Sequence, residues 1–475
     1  MSTSPRLRVV GPSRPLCAPD GGDLDADDRN SIRKWRRYAW LALAVSSAAY
    51  LLISVAHQQA FHPWGRLGFF DLGVYHGAGR LVLGGGSLYD APIWRWAPFT
   101  YPPFAAVTFT PLALLPLAVD EVLVAAFGVV ALFAVLALAL RLPMADGEEA
   151  AQTQRWRSIL FPVAVAAALW FEPVTATLGY GQINLLIALL IVGDLGRRDT
   201  ATSKGALIGL AAGLKLTPLI FVPYLLFTRR RRAAYVALGT FASTVALAYA
   251  VLPGDSQQFW GRAMFLDSRR VGGCCIPANQ SLRGLILRLD PSFGSGWVLA
   301  IAAVVGILGV TLAVLTARRG DEAIGFSLCA ITGLLVSPVS WTHHWTLAVP
   351  ALLLLGLRVY RNRSKVGIIA VGATLLVGYS YLPKLMERPV FSSALAIPAG
   401  WTLVSTSYVL IGLVALGLVC LHETCLLPGR QSRVRRARPR GRGLGWSRRR
   451  SSWARAWATS GGPPVARRNA RFSRR

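Results

Sequence analysis

The chain has 475 residues, 53% of them hydrophobic and only 15% charged, with a mean hydropathy of +0.46 and a formal net charge of +29. Apolar runs of about 15 to 23 residues recur along it, which excludes an ordinary soluble globular domain and predicts an all-α polytopic membrane protein. The positive charge does not mark a nucleic-acid binder, because the excess sits in short loops and the two tails, where it orients helices and meets anionic headgroups.

The first apolar run, Tyr38 to Ala56, has no small-residue cleavage site behind it and is expected to stay as a span, leaving residues 1–37 as a disordered N-terminal tail. The cluster Arg33-Lys34-Trp35-Arg36-Arg37 precedes it, so the positive-inside rule puts the tail in the cytoplasm and the loop 57–101 outside. Within that loop lies Gly68-Phe69-Phe70-Asp71-Leu72-Gly73-Val74-Tyr75. Asp71 suits a general base, since removing a proton from a sugar hydroxyl needs an ionised acceptor within hydrogen-bond reach. It also fits a helix cap or a partner for Arg66 or Arg80. Phe69, Phe70 and Tyr75 offer either sugar-stacking faces or an interfacial aromatic belt.

The next segment, 102–118, carries Pro102, Pro103, Pro111 and Pro116. A single membrane helix with those prolines would leave carbonyls unpaired, so a broken or re-entrant element is expected. Further spans are expected near 119–141, 158–172, 182–196, 205–227, 233–252, 297–316, 323–340, 346–358, 366–383 and 401–421, about twelve segments in all. Arg229 to Arg232, Arg318-Arg319, Arg358 to Lys365 and the tail 422–475, with sixteen Arg and no acid after Glu423, belong on the cytoplasmic side. If 102–118 and 205–227 each cross once, Arg155, Arg157 and Arg197-Arg198 fall outside. If 102–118 dips and 205–227 is a hairpin bent at Thr217-Pro218, those arginines return to the cytoplasm and Gly179 to Asn184 joins Asp71; this second topology obeys the charge rule and is preferred.

Several polar residues interrupt the apolar pattern. Gln182 and Asn184 present paired amides for sugar hydroxyls, or for neighbouring helices. Lys215, in Gly213-Leu214-Lys215-Leu216-Thr217-Pro218, either snorkels or holds a phosphate beside freed backbone N–H groups. The outer loop 253–296 carries Trp260, Arg262, Arg269-Arg270, Asn279-Gln280-Ser281 and Arg283, a surface for an anionic headgroup. His343-His344 lies in a turn flanked by Trp341 and Trp345; adjacent histidines without a His-x-x-x-His or Glu partner do not make a metal site, so phosphate or sugar binding by imidazoles titrating between about pH 5 and 8 is expected, unless the turn is only an interfacial anchor. Cys329 and Cys420 read as packing residues, and Cys274-Cys275 receives no chemistry. No nucleotide-binding motif and no soluble domain large enough for a nucleotide sugar is present, so a group-transfer enzyme of this build needs a lipid-borne donor.

Phe70-Asp71-Leu72-x-Val74-Tyr75, Thr100-Tyr101-Pro102-Pro103-Phe104, Gly181-Gln182-x-Asn184-Leu185-Leu186, Lys215-Leu216-Thr217-Pro218, Asn279-Gln280-Ser281-Leu282-Arg283-Gly284 and Ser337-Pro338-x-Ser340-Trp341-x-His343-His344 occur in this order. Together, over about residues 38 to 421, they resemble glycosyltransferase family 87, the actinobacterial polyprenol-phosphate-mannose-dependent α-(1,2)-mannosyltransferases of the GT-C superfamily. The resemblance implies a GT-C helical bundle and a polyprenyl-phosphate-mannose donor. It implies inverting transfer to a mannose hydroxyl of a glycolipid or cell-envelope glycan, at the outer face of the cytoplasmic membrane, with no cofactor and no metal. Asp71 is then the essential acid of the first outer loop. Lys215, His343, His344, Gln182, Asn184 and Tyr75 are the expected donor-site residues, and Asn279, Gln280, Arg283 and Tyr101 the expected acceptor-side ones. The rival reading is a transporter or flippase of lipid-linked sugar, which needs no base and typically shows inverted repeats that this sequence lacks.

Overall fold

Uncharged runs rich in Leu, Ala and Val can satisfy their backbone groups away from water only within themselves, and they do so as helices. The computed structural model describes residues 26–57, 68–144, 159, 161–264, 268–272, 276–386 and 399–425. Among these no strand forms; the only extended pairings are two isolated bridges, Trp94 with Ala97 and Asn279 with Trp341. Cys274-Cys275, Arg66, Arg155, Arg157 and the tail beyond Cys425 lie outside the described residues.

The helices, in order, are α1 (Ala26–His57), α2 (Phe70–Gly84), α3 (Pro103–Phe109), α4 (Leu117–Ala139), α5 (Phe161–Ala168), α6 (Glu172–Tyr180), α7 (Asn184–Leu195), α8 (Ala206–Leu214), α9 (Phe221–Phe227) and α10 (Arg231–Val251). There follow α11 (Pro253–Ser256), α12 (Leu282–Leu289), α13 (Ser295–Arg318), α14 (Glu322–Val336), α15 (Ala348–Asn362), α16 (Lys365–Tyr379), α17 (Leu382–Leu385), α18 (Ala399–Ser405) and α19 (Ser407–Cys425). α1 begins well before the apolar run, so the basic cluster 33–37 is helical rather than part of an irregular tail.

Among the described residues four stretches are long and apolar enough to cross a membrane: α4, α10, α13 and Lys365–Leu385. α5 and α6 add a fifth if taken together, bent by 62° at a break that Pro173, in the first turn of α6, enforces because it cannot donate to the carbonyl of Leu169. The other expected segments are shorter helices. α14 stops at Val336 ahead of Pro338 and, at 15 residues, is about 22 Å long, less than the hydrocarbon thickness. The 102–118 segment is broken as its prolines require, into the seven-residue α3 and a 3₁₀ turn at Leu112–Leu114.

The 205–227 segment reverses direction. Gly205, which caps α8, and Gly209 and Gly213 within it press against Ala233, Ala237 and Thr244 of α10 in rising order, leaving no room for a Cβ, so these helices run parallel. α9 instead runs antiparallel to α14: Ile220 lies against Gly333 and Tyr224 against Gly325. The chain therefore climbs along α8 and descends along α9. The break comes at Lys215, whose backbone is extended (φ −154°, ψ 129°), followed by a 3₁₀ turn at Thr217–Ile220. This is two residues before the expected Thr217-Pro218 bend, because the proline ring excludes the carbonyl of Leu214 from a continuing helix.

The hairpin defines two ends. At one, Arg230 grips Glu322 through two bonds of 2.8 and 2.6 Å and pairs with Asp199 at 3.0 Å. Arg232 donates to the carbonyls of Thr200 and Ala201, Arg318 to that of Phe227, and Arg358 pairs with Asp321. The loops at 197–204, 228–232, 318–322 and 358–361 thus share one basic end. Lys215, the 179–184 turn and the histidine turn gather at the other.

Candidate active site

The turn that carries Asp71 is set by its backbone. Phe69 adopts a left-handed conformation (φ 50°), uncommon for a residue with a side chain, and donates its N–H to the carbonyl of Gly179 at 2.8 Å. α2 starts there, with Asp71 in its first turn. Opposite, α6 ends on Gly181 (φ 67°), where a Cβ would come within 2.7 Å of Leu72. Only glycine permits that approach, which seats Gln182 beside Asp71.

Gln182 holds the carboxylate. Its Oε1 accepts from Tyr75 Oη at 2.8 Å and Tyr101 Oη at 3.0 Å, and the two phenol oxygens lie 2.8 Å apart. With the amide oxygen committed to the tyrosines, the amide N–H₂ faces Asp71 and donates to it. Asp71 is partly buried. Burial pushes its pKa up to about 6, although the bond from Gln182 and the charge of Lys215 pull the other way. A base with that pKa is ionised at neutral pH and close to matching it. We therefore expect kcat/KM for transfer to rise with pH up to an apparent pKa near 6 and then level, measured over pH 4.5 to 8; a flat profile through pH 6 would exclude Asp71 as the base.

Lys215 Nζ donates to Asn184 Oδ1 at 3.0 Å and sits 5.8 Å from the centre of the Tyr101 ring. Asn184 Nδ2 in turn donates to the carbonyl of His343 at 3.0 Å. One amide thus ties the helix break to the histidine turn, a 3₁₀ helix over Thr342–Leu347. Asn184, Lys215, Thr217, Ser337, Ser340 and His344 line a small cavity of about 30 Å³, room for a water molecule or two.

The histidines depart from the sequence expectation. His344 Nδ1 accepts from the backbone N–H of Trp341 at 3.3 Å, which leaves the proton on Nε2. His343 packs on Tyr180 (5.0 Å between rings) and edge-on to His344 (4.8 Å); among the described residues its buried Nε2 meets no partner. Burial first, then the charge of Lys215, holds both imidazoles well below their ordinary pKa. Both are neutral at pH 7, and the ring of His344 is also bonded to the backbone of Val339, so the expected titration between pH 5 and 8 is not theirs.

Other expected site residues serve as scaffold. Tyr75 is 1% exposed, its hydroxyl committed to Gln182 and Tyr101, so it positions the amide rather than a sugar. Tyr101 belongs to the same triangle, not to an acceptor surface. Asn279 and Gln280 are wholly buried. Asn279 Oδ1 accepts from the N–H of Ser340, while Gln280 donates to the carbonyls of Pro277 and Ser405 and accepts from the N–H of Tyr408. Asn279 thus braces the segment that leads into the histidine turn, and Gln280 ties its own loop to the 405–408 segment, which corrects their reading as acceptor contacts: bonds to fixed backbone leave neither side chain turned toward a ligand. Arg283 is partly buried on α12.

Two pairs were not read from the sequence. His76 Nδ1 lies 2.8 Å from Asp120 Oδ2, locking α2 to α4; an acid at the head of an apolar span was the available signal. Lys384 Nζ donates to Tyr180 Oη at 2.6 Å; the signal was the rarity of lysine in a chain whose cations are mostly arginine. Among the described residues no three of His, Cys, Asp and Glu gather as a metal site requires.

The glycosyltransferase family 87 model matches residues 99–338, half of the chain. The chain belongs to glycosyltransferase family 87. It is similar to a polyprenol-phosphate-mannose-dependent α-(1-2)-phosphatidylinositol mannoside mannosyltransferase of Mycobacterium tuberculosis, 32% identical over 70% of this chain and 79% of that protein. The enzyme of the same name from Mycolicibacterium smegmatis is 31% identical over 83% of the chain and 94% of its own length. A phosphatidylinositol pentamannoside mannosyltransferase of M. tuberculosis is 33% identical over 75% and 82%. No solved structure gives a significant match. As a family 87 member the protein is a membrane glycosyltransferase, and Tyr101, Gln182, Asn184 and Lys215 fall inside the matched range.

Proposed function

We propose that this glycosyltransferase moves mannose from polyprenyl-phosphate-mannose to a mannose hydroxyl of a phosphatidylinositol-mannoside-type glycolipid, forming an α-(1,2) linkage with inversion. The observation that carries the reading is the meeting, at the end opposite the basic loops, of a carboxylate ionised near neutral pH with a lysine and two neutral histidines. The acceptor hydroxyl attacks the anomeric carbon as Asp71 takes its proton, and the bond from that carbon to the phosphate oxygen breaks on the opposite face. Negative charge grows on the departing lipid phosphate, where Lys215 and the imidazole of His343 steady it, with His344 fixing the turn that carries His343. Gln182 holds the base, and Asn184 links Lys215 to the histidine turn. No metal enters this scheme. The names of the relatives support both the donor and the glycolipid acceptor.

The basic end belongs in the cytoplasm and the active site at the outer face of the cytoplasmic membrane, in a GT-C bundle of about twelve segments, some broken or re-entrant. Single cysteines at Thr200 or Ala201, in a background lacking native cysteines, should resist membrane-impermeant thiol reagents in intact cells, and one at Gly68 should react. Ready labelling at 200 or 201 would invert the assignment. The reaction itself is tested by giving membranes radiolabelled polyprenyl-phosphate-mannose and a phosphatidylinositol-mannoside acceptor. A lengthened glycolipid supports transfer; labelled donor crossing the bilayer without product points to the flippase.

A further inference from the structure

Only five of the 51 Lys and Arg residues are lysine: Lys34, Lys204, Lys215, Lys365 and Lys384. Lys34 and Lys365 lie in basic clusters of the sequence, and Lys204 is spent on the carbonyls of Leu195 and Arg197 and on Asp199. The other two converge. Lys215 comes from the α8–α9 break and Lys384 from α17, far apart in sequence, and the charge of each reaches His343. Lys384 is placed by Tyr180: its Nζ is 2.6 Å from the phenol oxygen and 5.1 Å from the ring centre. The same ring packs against His343.

His343 Nε2 completes the picture. It is buried, lacks a partner among the described residues, and lies on a side chain only 8% exposed. A buried ring nitrogen left without a partner costs free energy, and a ligand that brings a hydrogen-bonding group to it recovers that cost. Two ammonium groups acting on one neutral imidazole disfavour any further cation and favour an anion. An ammonium offers three donors on a compact charge, which suits the non-bridging oxygens of a lipid phosphate approached from several directions better than a planar guanidinium fork.

We propose that Lys384 is the second cation of the donor-phosphate site, held by Tyr180 so that it and Lys215 grip one phosphate at His343. The inference rests on the reading of this site as a glycosyltransferase with a polyprenyl-phosphate-linked donor. Its ligand is a phosphate on a lipid: the diester of the donor before transfer and the monoester of the product after. Because the charge on that phosphate rises during transfer, a second cation acts on both donor affinity and the chemical step.

The test uses the full chain in phosphatidylcholine nanodiscs. Equilibrium binding of polyprenyl monophosphate should weaken about 10- to 100-fold in Lys384→Ala and in the bulkier Lys384→Gln, which keeps the stem packed. Lys384→Arg should recover much of the loss, and Tyr180→Phe, which frees the lysine without removing its charge, should cost less. In turnover, the donor KM or kcat should change while the acceptor KM stays. Unchanged monophosphate affinity in Lys384→Gln would overturn the proposal, as would a loss confined to the acceptor KM. The two readings separate: a wild type that binds the monophosphate through Lys384 but transfers no mannose refutes the mannosyltransferase, whereas intact mannose transfer with wild-type donor kinetics in Lys384→Gln refutes only Lys384.

Discussion

Replacing Asp71 by Asn should lower mannose transfer by about 100-fold or more while polyprenyl-phosphate-mannose still binds, the scale of a lost general base. The substitution is nearly isosteric, and the new amide oxygen can still accept from Gln182, so the α2 turn and the 179–184 turn should keep their places. What disappears is the ability to take a proton from the acceptor hydroxyl. The loss should therefore fall on kcat, with the donor KM little changed, and the acid limb near pH 6 should vanish from the residual activity. Single-turnover assays with preloaded donor read the effect directly. Near-normal turnover would remove Asp71 from the mechanism.

Lys215→Ala should cut kcat/KM for the donor by about 10- to 100-fold, the equivalent of one charge-assisted hydrogen bond of roughly 1.5–3 kcal/mol. A second signature comes from the field at Asp71. Lys215 holds the Asp71 pKa down, so removing it disfavours the carboxylate and moves the acid limb to higher pH than in the wild type. That shift separates a charge acting on the site from a side chain that merely packs at the α8–α9 break. His343→Ala and His344→Ala should also impair donor use, the first by removing a neutral imidazole from the phosphate site and the second by loosening the turn that carries it, and should leave the profile between pH 5 and 8 otherwise unaltered. If all three variants kept wild-type donor kinetics while folding normally, the phosphate would have to bind elsewhere, most readily at the arginines of the 253–296 loop.

Composition and the polar interruptions of apolar runs were enough to set the class of protein and the residues worth suspecting. A charged or strongly polar side chain in apolar surroundings is costly unless it is used, and that rule alone singled out Asp71, Lys215 and the His343-His344 pair. Proline chemistry marked the breaks in 102–118 and beside Lys215, because a missing N–H and a ring clash are local events. The excess of arginine foretold which loops share an end, and the α8–α9 hairpin brings 197–204 and 228–232 together as that charge pattern required.

What each polar group does depends on long-range packing, for reasons of hydrogen-bond direction that no local pattern holds. Gln182 turns its oxygen to Tyr75, 107 residues away, and so turns its nitrogen to Asp71. Asn279 and Gln280, which look like ligand-binding amides in the sequence, are consumed by backbone groups of the histidine turn and of the 405–408 segment. Burial beside a lysine makes His343 and His344 neutral, although the free side chain titrates near neutral pH. Lys384 is brought to the site by Tyr180, 204 residues away in the sequence. Whether a donor faces a substrate or a carbonyl depends on which distant segment packs against it, and that packing is set by apolar contacts spread over the whole bundle rather than by the polar residue's neighbours in the chain.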